Sequence, residues 1–173
     1  MTPHKITPAE YHQMGAIFPD VRLELIEGEL FDMAPIGTLH AWTVGQLTRL
    51  LTLHLAEQAL VLCQSPLALP DSEPEPDIMV LTLADYRQRL PEPGDVRWLI
   101  EVADSSVRYD RTRKLPLYAR HGIPEVWLID LNARIVEVHR QPAGDIYQHV
   151  TTPNVLTPLA FPKLLIPLED ILP

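Results

Sequence analysis

Cysteine is nearly absent from the sequence, and so is any long apolar run. The single cysteine, Cys63, cannot form an intramolecular disulfide, which suits a reducing compartment. It lies in an apolar run, where a small core residue is the ordinary interpretation and nothing nearby would lower its pKa. No apolar stretch approaches the roughly 18 residues of a membrane span. Residues 1–14 also lack the pattern of a secretory signal. We therefore expect a cytoplasmic protein without a membrane partner.

Positive charge is also scarce. The chain has 14 Lys and Arg against 23 Asp and Glu, a net charge of −9. This balance argues against strong nonspecific binding to nucleic acid, although a metal site made of acids would itself add negative charge. The one concentration of basic residues could still form a basic face; it consists of Arg108, Arg111, Arg113, Lys114 and Arg120.

Several familiar catalytic motifs are missing. The sequence has no Gly-x-Ser-x-Gly elbow, no phosphate-binding P-loop and no pair of Cys or His residues at zinc-binding spacing. It also has no internal repeat. What it does have is 46% hydrophobic residues in 173, enough for the core of one domain over residues 1–173. The proline-rich tail, 151–173, carries apolar residues and is expected to pack on that domain.

The pattern of apolar and turn-forming residues predicts alternating helices and strands. Thr7 and Glu10 form a capping box for a first helix, and Glu27-Gly28 marks a turn between two strands. Helices are predicted over 8–14, 40–58 and 111–121, with a helical turn over 84–90. Strands are predicted within 21–33 and over 60–69, 77–81, 97–102, 126–131 and 135–139. This order predicts a mixed sheet flanked by helices, an α/β domain on the borderline of α+β.

Two acids stand out because of their setting. Asp77 follows a proline at the start of a strand, and Glu101 follows the most apolar strand, Trp98-Leu99-Ile100. A desolvated carboxylate is costly without a partner, and a bound divalent cation could be that partner. Carboxylate oxygens suit Mg²⁺ or Mn²⁺. The alternative is structural: both acids could bond to backbone amides or to arginine.

Two further residues are candidates for the same site. Lys114 would lie one turn inside the helix that follows the Glu101 strand, where it could orient a water or stabilise charge on a phosphate. The alternative is a solvated surface lysine. His40 opens the main helix, and either a role in the site or a structural role at the helix terminus fits it.

Together these segments resemble a known family. The segments are Arg22–Glu29 with His40 beyond them, Glu75-Pro76-Asp77, Ile100–Ser106, Asp110–Lys114 and Tyr118–Asp130. They are similar to the restriction-endonuclease-like domain family of unknown function, within the PD-(D/E)XK nuclease superfamily. The resemblance covers nearly the whole chain.

The resemblance implies a fold, a metal and a set of site residues. It implies a restriction-endonuclease-like core in which Asp77 and Glu101 bind Mg²⁺ or Mn²⁺, with Glu29 as an additional upstream acid. The lysine of the superfamily motif, two residues after the acid, is replaced here by Ala103. The resemblance points to Lys114, on the next helix, as the catalytic lysine.

The expected function is therefore metal-dependent hydrolysis of DNA phosphodiester bonds. The main alternative is a binding or structural module that keeps the fold without catalysis, and a lesser one is hydrolysis of a small nucleotide. Trp98 and the apolar residues 164–168 also suggest surplus apolar surface. Since members of this fold often work in pairs, we expect a homodimer.

Overall fold

The structure, a computed structural model, describes residues 1–17 and 21–172; Pro173, the last residue of the predicted tail, lies outside the described residues. The helical elements are α1 (Pro8–Ile17), α2 (Thr38–Leu55), α3 (Val107–Tyr109), a π-helical turn (Asp110–Lys114), α4 (Leu115–Arg120), and two 3₁₀ turns, Pro93–Asp95 and Leu168–Asp170. The strands are β1 (Leu23–Ile26), β2 (Glu29–Asp32), β3 (Leu60–Cys63), β4 (Ile78–Leu81), β5 (Val96–Ala103), β6 (Glu125–Asp130), β7 (Ile135–Ala143), β8 (Ile146–Thr151), β9 (Val155–Leu156) and β10 (Ile166–Pro167).

A six-stranded sheet forms the centre of the protein, in the order β3-β4-β5-β6-β7-β8. All neighbouring strands are antiparallel except β5 and β6, which are parallel. A parallel pair needs a crossover connection, and here the helical stretch from α3 to α4 supplies it. The predicted mixed sheet flanked by helices is confirmed, and its mainly antiparallel pairing makes the fold α+β.

Alternation along β5 separates two faces of this sheet. Trp98 and Val102 face a core shared with α2, whereas Leu99 and Ala103 face a second core shared with α4. Glu101 belongs to the second set. The crossover helix therefore packs on the same face of the sheet as the Glu101 side chain.

The β1–β2 hairpin forms a small sheet of its own beside this body. Its turn is where the sequence predicted it, with positive φ at both Glu27 (51°) and Gly28 (74°). A Cβ atom at Gly28 would lie 2.9 Å from the Lys5 side chain, so the close approach also requires glycine. The hairpin is tied to the body by a backbone bond from Glu73 N–H to the Leu25 carbonyl, 2.7 Å. The predicted capping box of α1 is also present.

The structure departs from the sequence prediction at three elements in particular. The strand predicted over 60–69 ends at Cys63, because Gln64 adopts a positive φ of 45° and Pro66 follows. No helix forms over 84–90, where the backbone N–H and side chain of Arg87 bond to the Asp85 carboxylate. Strand β8 was missed because it is a mostly exposed edge strand without an apolar face.

The C-terminal segment packs on the face of the sheet opposite Glu101. Leu156, Ile166 and Ile171 are buried in the core that contains Trp98. The ring of Phe161 lies 5.7 Å from that of Trp98. The apolar residues that suggested surplus surface are therefore largely used inside this chain, although Leu165 is exposed. No helix among residues 1–17 and 21–172 combines the length and apolar character needed to cross a membrane.

Candidate active site

Asp77 lies immediately before β4, with its carboxylate held from two sides. Oδ2 accepts a hydrogen bond from the Val102 N–H on β5, at 2.8 Å. Oδ1 lies 3.0 Å from Nε2 of His40, near the start of α2. Each oxygen retains a lone pair for a further ligand. These contacts aim the Asp77 carboxylate at the end of the strand that carries Glu101.

Glu101 is almost fully buried, and its carboxylate has two partners. The Tyr118 hydroxyl donates to Oε1 at 2.5 Å, and Nζ of Lys114 lies 3.3 Å from the same oxygen. Burial raises the pKa of Glu101 well above its usual value, and Lys114 only partly opposes this. The ionised form of Glu101 therefore needs more positive charge than these neighbours supply.

Lys114 is buried and points at the Glu101 end of β5. Its Nζ lies 2.8 Å from Oε1 of Glu24 as well as 3.3 Å from Glu101. Burial acts to lower its pKa, but the carboxylates of Glu101 and Glu24 outweigh it, and the pKa is raised well above the usual value. Lys114 is thus a charged lysine inside an acidic cluster, which removes the alternative of a solvated surface lysine.

The π-helical turn positions Lys114 despite the proline that follows. Pro116 has no N–H to donate to the carbonyl of residue 112, so a regular α-helix cannot run through this stretch. The wider turn over Asp110–Lys114 precedes it, and both of these residues are buried. The proline therefore does not turn Lys114 into solvent.

Two buried acids of this cluster were not predicted. Glu24, on β1, accepts a hydrogen bond from the Glu75 N–H at 2.7 Å and pairs with Lys114. Asp110 accepts one from the Ser106 hydroxyl at 2.7 Å, and burial raises its pKa. The sequence signal for Glu24 was its place among three apolar residues of one strand. For Asp110 the signal was its spacing of four from Lys114.

Glu29, the upstream acid implied by the resemblance, lies outside the cluster. Its side chain is half exposed and pairs with Lys5 at 3.2 Å. It is also 3.9 Å from Arg113. Because Glu24 and Glu29 lie on opposite strands of one hairpin, only the packing of that hairpin decides which of them enters the site. The structure places Glu24, and not Glu29, beside Lys114.

The predicted basic face is largely neutralised. Arg111 pairs with Glu137 at 2.5 Å, and Arg120 pairs with Glu27. Arg113 lies 3.9 Å from carboxylate oxygens of Glu27 and Glu29, and Lys114 is buried. Four of the five basic residues are thus engaged by acids of this chain.

The acids surround a pocket of about 370 Å³ between the hairpin, the start of α2 and the end of β5. Seven Asp and Glu residues contribute to its lining, against two Lys and Arg residues, Arg22 and Lys114. His40 also lines it, and its hydrogen bond to Asp77 raises its pKa, although burial opposes the change. The pocket therefore carries an excess of negative charge that a cation would balance.

The donor atoms suit Mg²⁺ or Mn²⁺. Asp77 and Glu101 offer hard carboxylate oxygens at one pocket, and Mg²⁺ commonly uses only one or two carboxylates together with water. Among the described residues, no group of three or more His, Cys, Asp and Glu side chains is arranged to hold a metal ion by itself. The residues fit a metal that keeps several waters, and do not form a closed structural site.

The fold, a mixed six-stranded sheet flanked by helices, is shared with a solved structure. The crystal structure of a "putative nuclease belonging to DUF820" from Anabaena variabilis ATCC 29413 matches with a TM-score of 0.69. The match covers 88% of this chain and 90% of that chain at 19% identity, so it shows a shared fold. The family described as "Putative restriction endonuclease", Uma2, matches residues 8–169, and the chain belongs to that family. No curated protein matched the chain.

Proposed function

We propose that this protein is a metal-dependent endonuclease that hydrolyses DNA phosphodiester bonds. One observation carries the proposal: the buried carboxylate of Glu101 shares a pocket with Asp77 and a buried, charged Lys114. Structural ion-pair networks also contain buried acids. Here, however, the acids outnumber their partners, and they line an open pocket. A site with these properties is typical of catalysis that needs an added cation.

Each residue then has a definite task. Asp77 and Glu101 would hold Mg²⁺ or Mn²⁺, which when bound supplies Lewis-acid chemistry toward a phosphate oxygen and a water. Lys114 places a positive charge where negative charge develops on the phosphate in the transition state. Glu24 holds Lys114 in position, Tyr118 orients Glu101, and the His40 ring orients Asp77.

A Mn²⁺-supported cleavage assay on plasmid and single-stranded DNA tests this proposal. The parent protein should cleave DNA, and Asp77→Ala should not. Calorimetry with Mn²⁺ should show binding to the parent and strongly reduced binding to Glu101→Ala. If Mn²⁺ affinity were unchanged in Glu101→Ala, the shared metal site would be refuted.

A catalytically degenerate module is the second candidate, favoured by the short contact between Lys114 and Glu24. A lysine held at 2.8 Å by an acid could serve stability alone. A thermal shift with Mn²⁺ separates the two candidates. A ligand that binds only the folded state stabilises it by mass action, so a metal enzyme should gain stability and a degenerate module should not.

The proposal includes a homodimer in the cytoplasm. The reason drawn from Trp98 no longer holds, because that side chain is fully buried. The support is now at the start of α2, where Leu39 and Trp42 are 37% and 45% exposed. Light scattering should give twice the chain mass of 19.6 kDa at micromolar concentration. A value of one chain mass would overturn the dimer.

A further inference from the structure

One wall of the pocket is aromatic, and the proposed function gives its side chains no role. Phe31 of β2 and Tyr109 of α3 both line it, with ring centroids 5.3 Å apart. Both side chains are only partly buried. Stacking of a base on an aromatic side chain contributes about 1–3 kcal/mol in proteins that bind single strands. The wall thus suits a base whose phosphate points toward Glu101.

The charge of the pocket disfavours an intact duplex. A protein that grips duplex DNA neutralises several phosphates with Lys and Arg. Here the lining carries seven acids, and four residues of the basic cluster are paired with acids. One divalent cation would offset two of these carboxylate charges. Phosphates flanking the reacting one would be repelled unless the strand could bend away from the acids.

A second cavity continues from the mouth of the pocket. It has a volume of about 620 Å³, runs between α2 and the edge strand β3, and shares Ile36 and Gln64 with the pocket. Of the described residues that line it, Arg49 alone is charged. Small residues, Ala41 and Gly45, keep its floor on α2 low. An open, apolar channel of this kind accepts bases while their phosphates face solvent.

We propose that the protein acts on unpaired DNA, with one base against Phe31 and Tyr109 and the neighbouring nucleotides along the channel between α2 and β3. This inference rests on the proposed function, since the site that receives the phosphate is the same. The observation behind it is the continuity of three surfaces: the acidic pocket, the aromatic wall and the apolar channel. An enzyme that needs a base out of its stack acts on single strands or on bases already extruded from a duplex.

Anisotropy of a fluorescent oligonucleotide tests the binding separately from cleavage. The single strand and a blunt duplex of the same sequence are titrated with the full chain in Ca²⁺, which takes oxygen ligands as Mg²⁺ does. We expect the single strand to bind at least about tenfold more tightly, the effect of one stacked base. Phe31→Ala should lose about that factor and Phe31→Tyr should keep it. Equal binding of the duplex would overturn the inference.

Two glycine variants test the channel. Gly45 lies in α2, and a Cβ atom there would meet nothing within 4 Å, so Gly45→Glu places a negative side chain in the channel without a clash. Gly15→Glu makes the same change on α1, also in open space and outside both cavities. We expect Gly45→Glu to weaken single-strand binding about tenfold beyond the control, as for one lost stacked base. Equal affinities would overturn the inference.

The two proposals fail in different ways. If the single strand binds with the expected dependence on Phe31 and Gly45 but no DNA is cut in Mn²⁺, the proposed hydrolysis fails, whereas the inferred binding of unpaired DNA along these surfaces stands. If duplex and single strand are bound and cut equally well, the inference fails and the proposed function stands.

Discussion

Two buried glutamates on neighbouring parallel strands, Glu101 on β5 and Glu125 on β6, point to opposite faces of the sheet. Glu125 is fully buried and accepts four hydrogen bonds, from Trp127 Nε1 (2.8 Å), Arg140 Nε (3.0 Å), Arg140 Nη2 (2.7 Å) and Leu159 N (2.6 Å). Among the described residues, the Glu101 carboxylate is contacted by the Tyr118 hydroxyl and Lys114. Burial by itself therefore does not distinguish the proposed metal ligand, Glu101, from a structural acid such as Glu125. What distinguishes Glu101 is that its carboxylate has fewer hydrogen-bonding partners than that of Glu125 and lines a pocket.

The largest expected effect is on stability, when the same substitution is made at both glutamates. Glu125→Gln should lower the free energy of unfolding by about 3–5 kcal/mol, because it leaves the Arg140 charge without its partner. The free energy of unfolding of Glu101→Gln should stay within about 1 kcal/mol of the parent value. Lys114 still pairs with Glu24 in this variant, and a costly buried charge is removed. Urea unfolding at neutral pH measures both, and equal losses would break the comparison.

The next largest effect is on turnover. Lys114→Met should reduce kcat by about 100- to 1,000-fold, the usual effect of removing one group that stabilises transition-state charge. KM should change far less. The change should also lower stability, because Glu24 and Glu101 lose their shared cation. Turnover is therefore measured at a temperature where circular dichroism shows the variant folded, and an unchanged kcat would exclude Lys114 from catalysis.

A smaller effect concerns pH. Because the pKa of Glu101 is raised in the folded state, the folded protein binds more protons than the unfolded chain above pH 4.5. The contribution of Glu101 is therefore fully present below pH 4.5 and is lost as pH rises through its folded pKa. Between pH 5 and 8 the parent should lose stability relative to Glu101→Gln, by at most about 1.4 kcal/mol per pH unit.

Mn²⁺ provides the control for the pH dependence. A bound cation favours the ionised carboxylate. With saturating Mn²⁺, the difference in free energy of unfolding between the parent and Glu101→Gln should therefore depend less on pH. Lys114 stays protonated across this window and does not contribute to the slope. If, without metal, the stability of the parent and of Glu101→Gln changed with pH in the same way, Glu101 would not be a buried acid that lacks sufficient positive partners.

The smallest expected effect is at Arg113, the sequence neighbour of Lys114. Its guanidinium lies 3.9 Å from Glu27 and Glu29, and its side chain is 45% exposed. Ion pairs of this kind contribute about 0–1 kcal/mol. Arg113→Ala should therefore change the free energy of unfolding by less than about 1 kcal/mol and leave kcat near the parent value. Urea unfolding and the cleavage assay check both, and a loss of turnover as large as that of Lys114→Met would show that the charge of the helix matters more than the position of Lys114.

The sequence predicted those parts of the fold that are determined by residues close together in the chain. The apolar stripe of α2, the capping box at Thr7 and the turn at Glu27-Gly28 each have a short-range cause, and all three are present. The edge strand β8 has little to signal it, because pairing with β7 rather than an apolar face keeps it in place.

The site divides in the same way. Asp77, Glu101 and Lys114 were recognisable from strand ends and helix phase, and the structure brings all three to one pocket. Glu24 was not, because its place beside Lys114 depends on contacts across 90 residues of sequence. The pairing of Arg120 with Glu27 is equally remote, which explains why a basic cluster in the sequence did not become a basic surface.

The π-helical turn has a consequence for how this protein can change over time. Deleting one residue within Asp110–Lys114 would restore ordinary helical spacing and rotate the preceding helical residues of α3 by about 100° relative to α4. Tyr109 and Asp110 would leave the pocket, while Tyr118 would keep its hold on Glu101. A single deletion could thus separate the two sides of the site without disturbing the sheet. We therefore expect a one-residue deletion at this turn to remove Tyr109 and Asp110 from the pocket while the sheet stays folded.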